Sequence, residues 1–377
     1  MIQERIYLDF NASTPIAPDV AKAMEPFFSQ HFGNPSSQHW AGIPAKEAVE
    51  HAREQVADLL QCSPGEIVFT SGGSESNNHA IKGVFFALRE KGNHIVTTQI
   101  EHPAVANPCR FLERLGAKVT FVPVDRYGRV DPDDIQKAIT PKTVLISVMH
   151  ANNEVGTIQP IEEISKIAKE QGIIFHTDAA QSVGKIATKV DELDVDLLSI
   201  AGHKLYAPKG IGALYIRKGT LIEPLIHGAG HESGRRAGTE NVLLIVGLGK
   251  ACEIAERYWG DDKIRNLRDH FWHLLQENFG EEVVLNGHPV HRLPNTLNMS
   301  FVGKAGGEIL SQLDGVAAST GAACHSGSVE LSPVLKAMGI SKEVGMGAIR
   351  FSLGRMTSIQ EVERVVYLLR NSIHSLR

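Results

Sequence analysis

The sequence predicts an α/β protein built on a mainly parallel, seven-stranded sheet, with a smaller α+β region after it. Seven short apolar, β-branched runs predict the strands, helical periodicity between them predicts the crossovers, and a change of texture after Trp259 predicts the second region.

From Pro44 to Leu60, Ala45, Ala48, Val49, Ala52, Val56, Leu59 and Leu60 recur at helical spacing, and Ser63-Pro64-Gly65 ends the segment. A strand from Glu66 to Thr70 follows, then the small-residue turn Ser71 to Ser76, then a helix from about Asn77 to Lys91. The remaining strands are expected at Ile95 to Thr98, Lys118 to Val122, Thr143 to Val148, Ile173 to Thr177, Leu197 to Ile200 and Gly212 to Ile216. Helical patterns such as Ala104 to Leu115 and Ile161 to Gln171 separate them, which argues for a parallel sheet covered on both faces. Ligands of such sheets collect where loops leave the carboxyl ends of the strands. Beyond Trp259 come a helix from Lys263 to Phe279, strand-like Val283 to Leu285 and Thr296 to Phe301, and helical runs near Glu308 to Leu313 and Ile359 to Leu376. The expected division is a large domain over 15–260 and a small one from 1–14 and 261–377.

Composition narrows the function classes. A chain of 377 residues with 42% hydrophobic and 21% charged residues has material for a substantial core. A formal charge of -5 provides no global attraction for nucleic acid or an anionic membrane, so small-molecule work is favoured. Met1 to Phe10 carries no continuous apolar run, and later runs such as Val242 to Val246 are too short to span a bilayer. The cytoplasm is the expected location. Four scattered cysteines, Cys62, Cys109, Cys252 and Cys324, form no C-x-x-C pair and predict neither a zinc site nor a disulfide framework.

Three pieces carry chemistry. Lys204, in Ala201-Gly202-His203-Lys204, sits just past a buried strand in a glycine-rich loop, from which an amine can reach a cofactor aldehyde. Asp178 ends the preceding strand, in Phe175-His176-Thr177-Asp178, where a carboxylate can keep a pyridine nitrogen protonated. Ser71 to Ser76, between a strand and a helix, leaves backbone N–H groups suited to a phosphate. Taken singly, each has a structural alternative: a turn lysine, a helix cap, an ordinary capping serine. Cys324 is different, because Gly321, Ala322, Ala323, Ser326, Gly327 and Ser328 around it are small and nothing bulky in the sequence buries the thiol.

Together the strings SGGSESNN (71–78), Glu101-His102, HANNEVG (150–156), HTDAAQSVGK (176–185), Gly202-His203-Lys204, RAGTE (236–240) and GAACHS (321–326) resemble the cysteine desulfurases of the NifS/IscS type. These are class V members of the fold-type I pyridoxal phosphate enzymes. The likeness runs in order from Leu8-Asp9-Phe10-Asn11-Ala12 to Arg350-Phe351-Ser352-Leu353-Gly354-Arg355.

The resemblance implies a homodimer that converts L-cysteine to L-alanine, with the sulfur taken as a persulfide on Cys324 and passed to an acceptor or scaffold protein. It implies that Lys204 attaches the cofactor and carries the α-proton, that His102 stacks on its ring, and that Asp178 pairs with the ring nitrogen. Asn153 and Gln181 would contact the ring hydroxyl region. Gly73, Ser74 and His203 would hold the phosphate, with Thr239 supplied by the neighbouring subunit. Asn34 and Arg350 would grip the substrate carboxylate, a task for which the planar arginine fork is suited. Read without the resemblance, Arg350 is more often a structural ion-pair partner than a ligand group, and His102 more often a hydrogen-bonded core histidine. Cys324 and Arg350 lie 26 positions apart, which resembles the desulfurases with a long, mobile cysteine loop.

One departure and three rival readings follow. Ala201 stands where many desulfurases carry serine, removing one hydroxyl donor, and together with GAACHS it is similar to selenocysteine lyases, so L-selenocysteine is an alternative substrate. A nicotinamide oxidoreductase is suggested by Gly228-Ala229-Gly230-His231-Glu232-Ser233-Gly234, but the final spacing is wrong and the motif lies too late in the chain. A non-catalytic sulfur-transfer adaptor is disfavoured by the presence of both Lys204 and Cys324. No metal is expected, since His227 and His231 are separated by two glycines.

Overall fold

The computed structural model describes residues 5–259, 262–320, 322–325 and 328–375, with the side chains of 322–325, 328, 329, 374 and 375 outside that description. The chain enters through β1 (Ile6–Tyr7), which pairs in parallel with β11 (Val316–Ala317). The main sheet contains β2 (Ile67–Thr70), β3 (His94–Thr98), β4 (Lys118–Val122), β5 (Thr143–Ser147), β6 (Ile174–Asp178), β7 (Leu197–Ala201) and β8 (Gly212–Ile216). Its order is β2-β8-β7-β6-β5-β3-β4, and only β8 runs against its neighbours. The expected seven strands are therefore present within one or two residues of their predicted ends.

A second, antiparallel sheet contains β9 (Val283–Asn286), β10 (Thr296–Phe301), β12 (Ser319–Thr320) and β15 (Ala348–Ser352), in the order β12-β15-β10-β9. Between β12 and β15 in sequence, β13 (Ala322–His325) and β14 (Ser328–Leu331) pair antiparallel as a separate two-stranded sheet. The core of the main sheet, around Ile146, Phe175, Leu198 and Tyr215, is distinct from the one around Phe271, Phe301, Phe351 and Leu369 beneath the second sheet. Strands buried on both faces need no polar alternation, which is why β2 reads as a continuous apolar or β-branched run.

Two helices differ from expectation. Val242–Glu256 was not legible as a helix because it is apolar around much of its circumference, with Ile245, Leu248, Ala251, Cys252, Ile254 and Ala255 all buried. An all-round apolar helix has no stripe for periodicity to report. The Gly73–Leu88 helix begins four residues before the predicted Asn77, so most of the small-residue turn is the helix's first turn. Its uncapped N-terminus, with Gly72 at φ 146° and ψ 179°, faces the carboxyl ends of the strands. Gly212 lets β8 approach that turn, since a Cβ there would lie 2.7 Å from the Gly72 Cα and 2.4 Å from the Ile200 carbonyl oxygen.

A buried ion pair ties this region to a later loop. Arg53 Nη1 and Nη2 donate to the two carboxylate oxygens of Glu232 at 2.8 and 2.9 Å, and Phe69 N–H donates to the same carboxylate at 2.9 Å. Glu232 itself holds φ 49°, so its backbone is strained as well as its charge desolvated. Glu232→Ala strands a buried guanidinium and is expected to cost about 3–5 kcal/mol. The thermal midpoint should fall by roughly 5–10 °C. A shift below about 2 °C in scanning calorimetry would refute this account of the pair.

Candidate active site

A cavity of about 600 Å³ opens at the carboxyl ends of the parallel strands, within the size range of ligand pockets. Gly73, Ser74, His102, Asn153, Asp178, Gln181, His203, Lys204 and Arg350 all line it. Nine predicted residues, spread over nearly 280 positions in sequence, are thus brought to one place.

Each is set by local structure. Lys204 follows β7 in a single 3-10 turn, Gly202–Lys204, and Tyr206 just beyond adopts φ 66°. Thr14 Oγ1 accepts from Tyr206 N–H at 2.8 Å, and the Tyr206 hydroxyl accepts from Arg355 N–H at 2.8 Å, so the strained turn is pinned from two sides. Lys204 Nζ donates to the main-chain carbonyls of Asn11 and Ala12 at 2.5 and 2.8 Å. Burial, with Arg350 adding to it, lowers this amine to about 8, against the opposing pull of Asp9 and Asp178.

Asp178 terminates β6 with its two carboxylate oxygens engaged separately. Asn77 Nδ2 donates to Oδ2 at 2.7 Å and Ala180 N–H donates to Oδ1 at 2.9 Å. His102 is the N-cap of the Pro103–Glu113 helix, where its Nδ1 accepts from Ala104 N–H at 3.1 Å. That bond leaves the proton of the neutral ring on Nε2. Burial and then Lys204 hold its pKa below the ordinary histidine value despite Asp178, so the ring is neutral at pH 7. The preceding Glu101 is buried and accepts from Thr98 Oγ1 at 2.7 Å and Met149 N–H at 3.0 Å. Burial pushes its carboxyl up to about 8. His203 is lowered to about 4 by burial together with Lys204, Lys209 and His102, and it too is neutral.

Arg350, on β15, reaches the cavity from the second sheet. Its Nη2 donates to Asp9 Oδ1 at 2.7 Å and Ser319 Oγ at 3.0 Å, its Nη1 donates to Asn153 O at 2.8 Å, and its buried Nε has no partner among the described residues. The structural and functional readings of Arg350 therefore coexist.

Two predicted residues stand apart. Asn34 is exposed, with Oδ1 accepting from Ser36 N–H at 2.9 Å, and does not line the cavity. Thr239 lines an adjoining recess with Glu232, Arg236 and Asn241. The backbone of Cys324 lies in β13 opposite Val329, so the expected loop is a hairpin strand at this point. The mobility expected of Ala323 to Val329 and the reach of the Cys324 thiol rest on side chains outside the described residues. The other three cysteines are unsuited to attack, because burial pushes each thiol up to about 12.

Sequence reasoning missed Asn11, Asn77, Glu101 and Lys185 as participants. All four stood inside motifs already singled out, but amides, a neutral carboxyl and a second lysine carry no chemical signature until their partners are known. Among the described residues, no cluster suits a metal ion and no helix is long and apolar enough to cross a membrane.

A parallel sheet with a lysine, a strand-end carboxylate, an imidazole and an uncapped helix N-terminus around one cavity defines the pyridoxal phosphate class of site. A family model described as aminotransferase class-V matches residues 6–365, and the chain belongs to that family. Within it the chain falls among the cysteine desulfurases of the NifS/IscS type. The cysteine desulfurase IscS of Dictyoglomus turgidum is 52% identical over 380 residues, covering 100% of this chain and 96% of the relative. That of Methanosarcina thermophila is 49% identical, covering 99% of this chain and 93% of the relative. A solved NifS-like protein superposes with a TM-score of 0.92 at 38% identity, covering 99% of this chain and 100% of its own. The alternatives of selenocysteine lyase, adaptor and oxidoreductase gain no support from these relatives.

The cavity fits the family's cofactor on its own evidence. An added Cβ at Gly73 would meet the Ala201 Cβ at 3.1 Å, so Gly73 and Ala201 keep the helix N-terminus close to the lysine turn. Ala201 thus fills space at the point where a serine hydroxyl is usual. The chemical set matches as well: Lys204 and Lys209 supply cationic groups, the helix N-terminus supplies backbone donors and Asp178 supplies a carboxylate, all lining the one cavity.

Proposed function

We propose that this protein converts L-cysteine to L-alanine at this cavity and transfers the sulfur to Cys324, from which an acceptor protein receives it. The observation that carries the reading is the convergence of Lys204, Asp178 and His102 on one cavity at the strand ends. Bound pyridoxal phosphate supplies an electron sink for the substrate α-carbon.

The chain's own residues do the rest. Gly73, Ser74 and His203 bind the phosphate, and Lys204 attaches the cofactor. Asp178, fixed by Asn77 and Ala180, keeps the ring nitrogen protonated, and neutral His102 covers the ring face. Asn153 and Gln181 lie at the ring hydroxyl. Arg350, its guanidinium fixed by Asp9, Ser319 and Asn153, lines the cavity and binds the substrate carboxylate. Lys204, with a pKa lowered toward neutrality, takes and returns the α-proton. The Cys324 thiolate attacks the substrate sulfur: the S–S bond forms, the Cβ–S bond breaks, and its electron pair stays with the carbon skeleton, which takes a proton to become alanine. A persulfide remains on Cys324.

A homodimer belongs to the same proposal. Phe28, Phe32 and Trp40 are 68, 72 and 79% exposed, and they flank Asn34 in sequence. Aromatic exposure of this kind is what a partner surface covers, and a second copy would bring its Thr239 and this segment to bear on the site. The division into a large domain over 15–260 and a small one from the remaining termini is supported by the two separate cores.

The test is direct. Purified protein supplied with pyridoxal phosphate should be yellow, borohydride should bleach it while fixing the cofactor to Lys204, and L-cysteine should yield L-alanine. Absence of alanine from cysteine would overturn the reading. A pH dependence accompanies it. Only the neutral Lys204 amine attacks an aldehyde, so cofactor uptake by the apoprotein should speed up with rising pH through a midpoint near 8, well below the ordinary lysine value. Stopped-flow absorbance across pH 6.5 to 10 checks this, and a midpoint near 10 would contradict it.

A further inference from the structure

Lys185 is a second lysine beside the site that the proposed reaction does not use. It lies in the turn after β6 and is absent from the cavity lining, so it touches neither cofactor nor substrate. Its Nζ donates to Gln181 Oε1 at 2.8 Å and to Asn11 Oδ1 at 3.1 Å. A lysine amine in that position serves as a donor, so both amides must turn their oxygens toward it.

The consequences follow from counting donors and acceptors. Asn11 Oδ1 also accepts from Asn295 Nδ2 at 3.0 Å, and Asn11 Nδ2 donates to Thr296 Oγ1 at 2.8 Å. Gln181 Nε2 donates one hydrogen to Asn11 O at 3.0 Å, the same carbonyl that receives Lys204 Nζ at 2.5 Å. Gln181 lines the cavity, and its second Nε2 hydrogen is the donor left for a ligand there. Were the amide reversed, Gln181 would offer an acceptor instead.

We propose, resting on the desulfurase reading, that Lys185 is a positioning residue that locks Gln181 as a hydrogen-bond donor into the cavity and couples it to Lys204 through their shared partner Asn11. The groups facing Lys204 are Arg350 from β15, Asp9 from the segment after β1, Asp178 from β6, and His102 and His203 from the cavity wall. Lys185 meets Lys204 through Asn11, whose side-chain oxygen accepts from one amine and whose carbonyl accepts from the other. Burial, followed by Lys204 and Arg350, lowers its own pKa well below the ordinary lysine value, as expected for two amines close together.

The test uses the holoenzyme and reads the absorption of the bound cofactor against pH. Loss of Lys185 frees the Gln181 amide to reverse and so removes a donor from the cavity, which makes the cofactor hold its proton more tightly. In Lys185→Met the midpoint of the absorption change should move up by roughly one pH unit, a tenfold change in proton affinity. The value of kcat should fall about tenfold, with KM for cysteine within about twofold. Lys185→Arg, which keeps the donors, should return the midpoint most of the way. Gln181→Ala and Gln181→Ala/Lys185→Met should differ by less than the shift that Lys185→Met causes alone, because part of its effect passes through Gln181. Should the methionine variant fail to accumulate, Lys185→Gln carries the same expectation. An unchanged midpoint in the methionine or glutamine variant, or full additivity in the double variant, overturns the inference. A parent protein that never turns yellow sinks the desulfurase reading instead, which keeps the two failures apart.

Discussion

Lys204→Ala is expected to abolish alanine formation, with a loss of roughly 10⁴-fold or more, since one amine both attaches the cofactor and moves the α-proton. The fold should survive the change. Lys204 Nζ donates to two main-chain carbonyls, and the Asn11 carbonyl keeps its second donor, Gln181 Nε2, at 3.0 Å. The structural cost is therefore about 1 kcal/mol, the net worth of an ordinary hydrogen bond. The expected pattern is a near-parental thermal midpoint, no cofactor fixed by borohydride, and no alanine above background. A Lys204→Ala protein that still turns cysteine over would place the chemistry on another amine, for which Lys185 is the neighbouring candidate.

Cys324→Ser should separate the two halves of the reaction. Serine keeps the size of the side chain but its hydroxyl is neither a comparable nucleophile nor able to store sulfur, so persulfide and alanine should both fall to background while the yellow colour remains. No other cysteine can compensate. Cys109 and Cys252 are buried, and all three remaining thiols are pushed up to about 12. Mass spectrometry of the parent after one turnover should find the added sulfur on the peptide containing residue 324. Sulfur on any other cysteine would remove Cys324 from its assigned role.

The catalytic half of the site was legible in sequence wherever chemistry and position coincide. Lys204 follows a strand and Asp178 ends one, and the composition of both strands is readable locally; the carboxyl end of a parallel strand is itself a prediction about where ligands bind. Cys324 was legible from its small neighbours. What supports these groups was not. Asn77 reaches Asp178 from a helix more than a hundred positions earlier, and Glu101 becomes a neutral anchor only once the fold has excluded water from it.

By itself, then, the sequence determined the alternation of strands and helices, the order of the motifs and the identity of the reacting groups, because periodicity and residue chemistry are local properties. The tertiary structure decided which groups meet. It starts the Gly73–Leu88 helix inside the small-residue turn, brings Arg350 from a second sheet to the strand ends of the first, and sets Asn34 and Thr239 outside the cavity. It also lowers Lys204 to about 8 and makes Lys185 a partner of Gln181. Burial and hydrogen-bond partnership depend on residues far away in the chain, and no local pattern encodes them.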